Sequence, residues 1–271
     1  MRGILITSHN PRHIYVAEQL SKIFKKFLII SVTMGNNPAL TNDHGKSNDD
    51  LIQWFNDRYN FENIFFKKKY FEIINSCLLP IRRKDLNSNL VENTIIDFNA
   101  DIIVVFGTDI IKSNIINVSQ NIINFHLGLS PYYNGAGTTW WPMFEGKFEK
   151  LGTTIHYLDE GVDTGKIISQ TKADIKIDDN PHQIGFKNII TGTEELLKVC
   201  NALNSGEKIE GITQWKVENK QYFMKDFNEK SLKEFKHRWD DKRILENWFY
   251  GKKERVKMVR LINGKSTIVY E

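Results

Sequence analysis

The stretch ADIIVVFG, Ala100 to Gly107, sets five consecutive apolar residues between an aspartate and a glycine. Alternating polarity would mark a strand with one wet face; an unbroken β-branched run this short marks a strand covered on both. GILIT (residues 3–7) and FLIISVT (residues 27–33) repeat the pattern. The segments PRHIYVAEQLSKIF and SNDDLIQWFNDRYN carry apolar residues at helical spacing, the second with Ser47 or Asn48 as its cap. Buried strands alternating with helices predict an α/β fold, doubly wound on a mostly parallel sheet, with ligands at the carboxyl ends of the strands. That rule brings FGTD (residues 106–109) and NFHLG (residues 124–128) to one edge.

At 271 residues the chain can build one sizeable core and a small appendage. Its 41% apolar and 26% charged content is that of an ordinary globular protein, which excludes disordered and fibrous classes. No apolar run approaches the roughly 20 residues that span a bilayer. The opening MRGILITSHNPRH turns polar too early for a secretory signal, so a cytoplasmic protein with no membrane contact is expected. Cys77 and Cys200 lie far apart without metal-ligand spacing, and both read as plain core residues; neither a disulfide framework nor a metal site is expected. Net charge is +4, and its excess lies in the tail: from Ser205 onward there are 16 Lys and Arg against 11 Asp and Glu. Such a tail suits contact with phosphate groups, but its charges are mixed rather than blocked, which reads first as a solvated helical face rather than a nucleic-acid surface.

Beyond residue 146, LGTTIHYLDEGVDTGKII reads as a strand, a glycine-bounded loop and a second strand. NPHQIGFKNIITGTEELLKVCNAL follows as a long amphipathic helix that closes the main unit, residues 1–204. The remaining residues, 205–271, form a small α+β appendage. It holds a short strand GITQWKV, a charged helix EKSLKEFKHRWDDKRILENWF, and a terminal β-hairpin turning at Asn263-Gly264.

Three polar residues stand out at the predicted strand ends. Asn124 and His126 are two apart, so they share one face of a strand, and Gly128, Pro131 and Gly135 break that strand at once. Asp163 sits in the later loop DEGVDTG. A carboxylate beside a histidine orients the ring for proton transfer, and an asparagine amide can donate to an oxygen gaining charge in a tetrahedral intermediate. No serine or cysteine in a nucleophile-elbow context accompanies them, so the acceptor should attack directly. His156, in TIHYL, reads as a packed strand residue near the site. SHNPRH (residues 8–13) lies where a loop meets a helix amino terminus but lacks a glycine-rich phosphate signature. Trp140 and Trp141 read as core-edge packing.

The pattern N-x-H-x-x-L-x-P-x-Y-x-G at Asn124, His126, Leu129, Pro131, Tyr133 and Gly135, followed by D-x-G-x-I at Asp163, Gly165 and Ile167, resembles the catalytic domain of folate-dependent formyltransferases. The resemblance runs from residue 1 to about residue 203. It implies a Rossmann-like fold, 10-formyltetrahydrofolate as cosubstrate without a metal, and catalysis by Asn124, His126 and Asp163. It also implies a folate pocket at Phe106, Gly107, Ile110 and Val162. Where the family commonly has Ser-Leu-Leu-Pro this chain has Gly128-Leu129-Ser130-Pro131, and Asn134 replaces a frequent arginine.

Members of that family differ mainly in the tail. Residues 205–271 look too short for the barrel of the initiator-tRNA enzymes, and SHNPRH does not match the phosphate loop of the purine-pathway transformylases. What remains is similar to the sugar-nucleotide N-formyltransferases. The resemblance then implies a nucleotide-linked amino sugar as acceptor, on a route to surface polysaccharide such as lipopolysaccharide O-antigen, and a homodimer through the hairpin. Tyr133, Gly135, Trp215 and Tyr222 become candidate acceptor contacts. The alternative is an enzyme like methionyl-tRNA formyltransferase, acting on aminoacyl-tRNA.

Overall fold

The structure is a computed structural model describing residues 1–33, 49–67, 76–218, 221–240 and 243–271. The anticipated cap at Ser47 or Asn48 lies outside the described residues. In chain order the elements are β1 (Arg2–Thr7), α1 (Pro11–Ser21), β2 (Lys26–Thr33), α2 (Asp49–Phe66), β3 (Ser76–Arg82), α3 (Asn89–Phe98), β4 (Ile102–Phe106), α4 (Ser113–Ile116), β5 (Ile122–His126), β6 (Asn134–Gly135), α5 (Trp140–Glu145), β7 (Gly152–Tyr157) and β8 (Ile167–Lys172). The long α6 (Pro181–Asn204) precedes β9 (Gln221–Tyr222), α7 (Glu229–Asp240), α8 (Ile244–Tyr250), β10 (Lys257–Ile262) and β11 (Lys265–Tyr270).

Seven strands form one sheet in the order β3-β2-β1-β4-β5-β7-β8. The first five are parallel, and β7 and β8 add antiparallel. Period-2 alternation sorts the side chains. Leu5, Val104, Ile123 and Phe125 face the layer of α1 and α6. Ile4, Ile6, Ile103, Val105 and Ile122 face Val91 and Ile95 of α3 and Ile115 of α4. Because Ile122 belongs to that second face, Asn124 and His126 do as well, and they stand where its apolar packing ends. Fully burying a side chain such as Phe125 contributes about 1.5–3 kcal/mol, and the sheet repeats this on both faces.

α6 begins as the sequence implies: Pro181 at its first turn and Asn180 as cap, whose Oδ1 accepts from Gln183 N at 2.9 Å. The terminal hairpin β10-β11 turns at Asn263-Gly264, both at positive φ. It docks on β8: Val259 N donates to Gln170 Oε1 at 2.9 Å and Leu261 N to Ser169 Oγ at 3.1 Å, with Met258 and Val259 fully buried.

Other expectations need correction. GITQWKV is no strand; Ile212 makes one isolated bridge to Ile167, since no neighbouring strand extends the pairing. The charged stretch read as one helix forms two, α7 and α8, with Arg243 before α8 in the left-handed region. Cys77 is exposed on β3, the edge strand of the sheet, whereas Cys200 is buried. β3, α3 and the short β6–β9 pairing had no clear sequence signal.

Candidate active site

β5 ends at His126, and the chain then turns back so that the Tyr133 carbonyl returns to accept from His126 Nε2 at 2.9 Å. Gly128 permits this return, because a Cβ there would overlap the His126 ring. The other ring nitrogen, Nδ1, lies 3.4 Å from Asp163 Oδ1. His126 thus has an acceptor at each nitrogen, and its side chain is only 7% exposed.

Asp163 comes from the loop between β7 and β8, with φ of 56°. Its Oδ1 accepts from Asn124 Nδ2 at 3.1 Å, and its Oδ2 accepts from the Gly135 amide at 2.8 Å. Burial alone would raise this carboxyl's pKa. His126 at 3.4 Å, the His156 ring at 3.7 Å and the Gly135 N–H outweigh burial and hold it well below the usual carboxylate range. The carboxylate therefore stays ionised as a fixed anchor.

The structure unites the three predicted residues and adds His156. β5 and β7 pair antiparallel with Asn124 opposite His156, and Asn124 Nδ2 lies 3.1 Å from His156 Nε2. His156 Nδ1 faces the Tyr157 carbonyl at 2.8 Å, so the hydrogen sits there and Nε2 is an acceptor. Both Nδ2 hydrogens of Asn124 are then committed, one to Asp163 and one to His156, which leaves its Oδ1 as the open polar atom. Sequence reading underweighted His156 because a histidine in an apolar strand is usually packing; the antiparallel register carries the signal.

The remaining predicted residues are spread around this centre. Phe106 is buried edge-to-face against His13, and Gly107, at φ of 60°, leaves room for the His13 ring. Burial, with Arg12 and Arg58 nearby, holds the His13 pKa well below the ordinary histidine value. Ile110 is 67% exposed in a loop whose shape Asn87 fixes, donating to the Ile110 carbonyl at 3.0 Å and accepting from Lys112 N at 2.8 Å. Val162, 37% exposed, precedes Asp163. Exposed apolar side chains beside open main chain, with the Thr108 hydroxyl buried and unpartnered, fit a flat ring bearing polar edges.

Tyr222 stacks with both Tyr133 and Trp141, and both tyrosine hydroxyls reach Glu145. Tyr222 is buried and supports Gly135 through its carbonyl, which accepts from Ala136 N at 2.8 Å. Trp215 is half-buried, with Lys257 Nζ 4.5 Å from its ring centre and Tyr132 beside it. Trp140 and Trp141 belong to the core cluster beneath, as expected. Among the described residues no group of His, Cys, Asp or Glu could hold a metal ion, and no helix is long and apolar enough to cross a membrane.

Comparison with known proteins gives this geometry a family. A methionyl-tRNA formyltransferase from Solibacter usitatus is 32% identical over 108 residues, covering 40% of this chain and 34% of that protein. The chain thus matches about a third of that relative's length. Among solved structures, a 4-N formyltransferase from Francisella tularensis superposes with a TM-score of 0.52 at 17% identity, covering 99% of this chain and 96% of that one. An N-formyltransferase from Helicobacter canadensis, in complex with folinic acid and dTDP-3-aminofucose, gives a TM-score of 0.53 at 20% identity, covering 84% and 73%. These likenesses establish the fold. The formyl transferase family model matches residues 58–200, and since that span takes in β5 and the Asp163 loop and exceeds half of the chain, this protein belongs to the formyl transferase family.

Proposed function

We propose that the protein is an N-formyltransferase that moves a formyl group from 10-formyltetrahydrofolate to the primary amine of a nucleotide-linked amino deoxy sugar, in the cytoplasm and toward surface polysaccharide. The observation that carries the reading is the ionised Asp163 joined to both Asn124 and His126 at the carboxyl end of β5. The folate supplies an activated formyl carbon. The amine nitrogen bonds to that carbon, the bond to folate N10 breaks, and the proton lost by the amine ends on N10.

The residues divide this work. The open Oδ1 of Asn124 accepts from the amine and aims its lone pair at the formyl carbon. As the formyl oxygen gains charge, it competes for an Nδ2 hydrogen more strongly than the His156 ring nitrogen does, so the donor is exchanged. His126 adds a second donor when its Nε2 exchanges the Tyr133 carbonyl for the formyl oxygen. Asp163 holds both partners in place, and its carboxylate can orient a water that carries the proton. Phe106, Gly107, Ile110 and Val162 hold the folate ring.

Within this reading residues 1–204 carry catalysis and residues 205–271 serve dimerisation and acceptor contact. Tyr133, Gly135 and Tyr222 form the wall beside the amine, and Trp215 with Lys257 offers a ring and a cation to a nucleotide. The likeness in fold to the Helicobacter canadensis N-formyltransferase, solved with folinic acid and dTDP-3-aminofucose, supports a sugar acceptor. The hairpin leaves Ile262, Ile268 and Tyr270 exposed, a surface a second copy could cover as a homodimer.

The curated relatives that are methionyl-tRNA formyltransferases favour the second reading, transfer to aminoacyl-tRNA. One assay separates the two: purified protein and 10-formyltetrahydrofolate are mixed with nucleotide-linked amino sugars or with charged initiator tRNA, and products are read by mass spectrometry. A 28 Da formyl gain of roughly that mass on an amino sugar, lost by about 10²–10⁴-fold in His126→Ala, supports the proposal. Formylation of the tRNA alone overturns the acceptor, and unimpaired turnover in His126→Ala overturns the site.

A further inference from the structure

Asp163 carries the electrostatics of the site, yet its own backbone is in the left-handed region at φ of 56°. A non-glycine residue holds such a conformation only where its surroundings enforce it. The loop's own hydrogen bonds lie upstream and at its surface: Asp159 Oδ1 accepts from Gly161 N at 3.2 Å and from Thr164 Oγ1 at 2.8 Å. At Asp163 itself the main chain is gripped from the tail. Gln214 Nε2 donates to the Asp163 carbonyl at 2.7 Å and to the Gly165 carbonyl at 2.9 Å.

This grip is built to be accurate. The two carbonyls flank Thr164, so one amide group sets the turn of the chain on either side of it. Two residues earlier, Ile212 exchanges both backbone hydrogen bonds with Ile167, at 2.8 and 2.7 Å, which fixes where the Gln214 side chain starts. Gly165 runs so close to the Tyr157 carbonyl that a Cβ there would overlap it. The carboxylate is therefore placed by Gln214 from behind and by Asn124, His126 and the Gly135 amide from in front.

We propose that Gln214 is a positioning residue for formyl transfer: it holds the Asp163 backbone so that the carboxylate meets His126, Asn124 and the Gly135 amide at once. The proposal rests on the formyl-transfer reading for its effect on rate, but not for its effect on structure. Gln214 touches no reacting atom. It acts through Asp163.

The test is Gln214→Met, which keeps the side chain's length and removes its donors. Its kcat falls roughly 10- to 100-fold while KM for folate and acceptor changes less than about threefold, because a displaced carboxylate disturbs the reacting geometry more than binding. Gln214→Asn, too short to reach both carbonyls, falls between. A second readout needs no substrate. The Gly135 amide, bound to Asp163 Oδ2, exchanges about tenfold faster with solvent deuterium, while the adjacent Ala136 amide, bound to the Tyr222 carbonyl, keeps its protection.

Unchanged Gly135 exchange overturns the proposal. So does equal acceleration at Gly135 and Ala136, which would mean that Gln214 docks the tail as a whole. A KM increase without a fall in kcat also overturns it. If the unsubstituted enzyme transfers no formyl group, the functional reading fails, and the exchange comparison still decides whether Gln214 holds Asp163.

Discussion

Asn124 and His156 face each other across the junction where the sheet changes from parallel to antiparallel, with Nδ2 3.1 Å from Nε2. The contact orients the asparagine amide. His156 Nδ1 is turned to the Tyr157 carbonyl and Nε2 faces the Asn124 amide nitrogen, which leaves the asparagine oxygen without a protein partner among the described residues.

Replacing His156 with leucine removes that acceptor while keeping an apolar side chain of similar bulk. One Nδ2 hydrogen then has no partner, and the amide loses its fixed orientation. We expect kcat to fall roughly 10- to 100-fold with His126 and Asp163 intact. Steady-state kinetics matching the unsubstituted enzyme would mean that Asp163 orients the amide unaided.

Gly165 lies against the Tyr157 carbonyl with no space for a side chain, and its obstacle is backbone that cannot rotate away. Gly165→Ala should therefore lower stability by roughly 1–3 kcal/mol and displace the Asp163 turn. Denaturant melts and turnover check this together, and a variant of normal stability and rate would show that the loop accommodates the methyl group.

His182 packs against Trp54 and Phe61, and burial, then the nearby Arg58, lowers its pKa to about 4, with Asp57 and Glu62 opposing. In the unfolded chain the ring takes up a proton near pH 6.5. The unfolded state then binds more protons between pH 6.5 and 4, so the contribution of neutral His182 is complete above that window and is lost as pH falls through it. Urea midpoints at pH 7 and pH 5 should differ less in His182→Phe than in the unsubstituted protein; equal differences would remove His182 as the cause.

Cys77 and Cys200 should behave oppositely toward a thiol reagent. Cys77 is exposed, whereas Cys200 is enclosed in the core and burial pushes its thiol up to about 12. A colorimetric titration should count one fast-reacting thiol per native chain and a second only in denaturant. Rapid reaction of both in native buffer would contradict the burial of Cys200.

The parallel core was legible in the sequence, because a short β-branched run such as Ile102–Phe106 can bury both faces only in a covered sheet. The sequence also placed Asn124 and His126 on one face, since a strand's two-residue period is local and survives any tertiary arrangement. The motif at Asp163 and the hairpin at Asn263-Gly264 were legible for the same reason. Tertiary structure alone decided the rest. Whether His156 meets Asn124 depends on the direction and register in which β7 joins β5. That Gln214 rather than another polar residue of the tail grips Asp163 depends on a contact spanning 51 positions. Cys77 reads as a core residue, yet β3 takes the sheet edge and exposes it. Local chemistry fixes which face a side chain shares; only the assembled sheet fixes what stands opposite it.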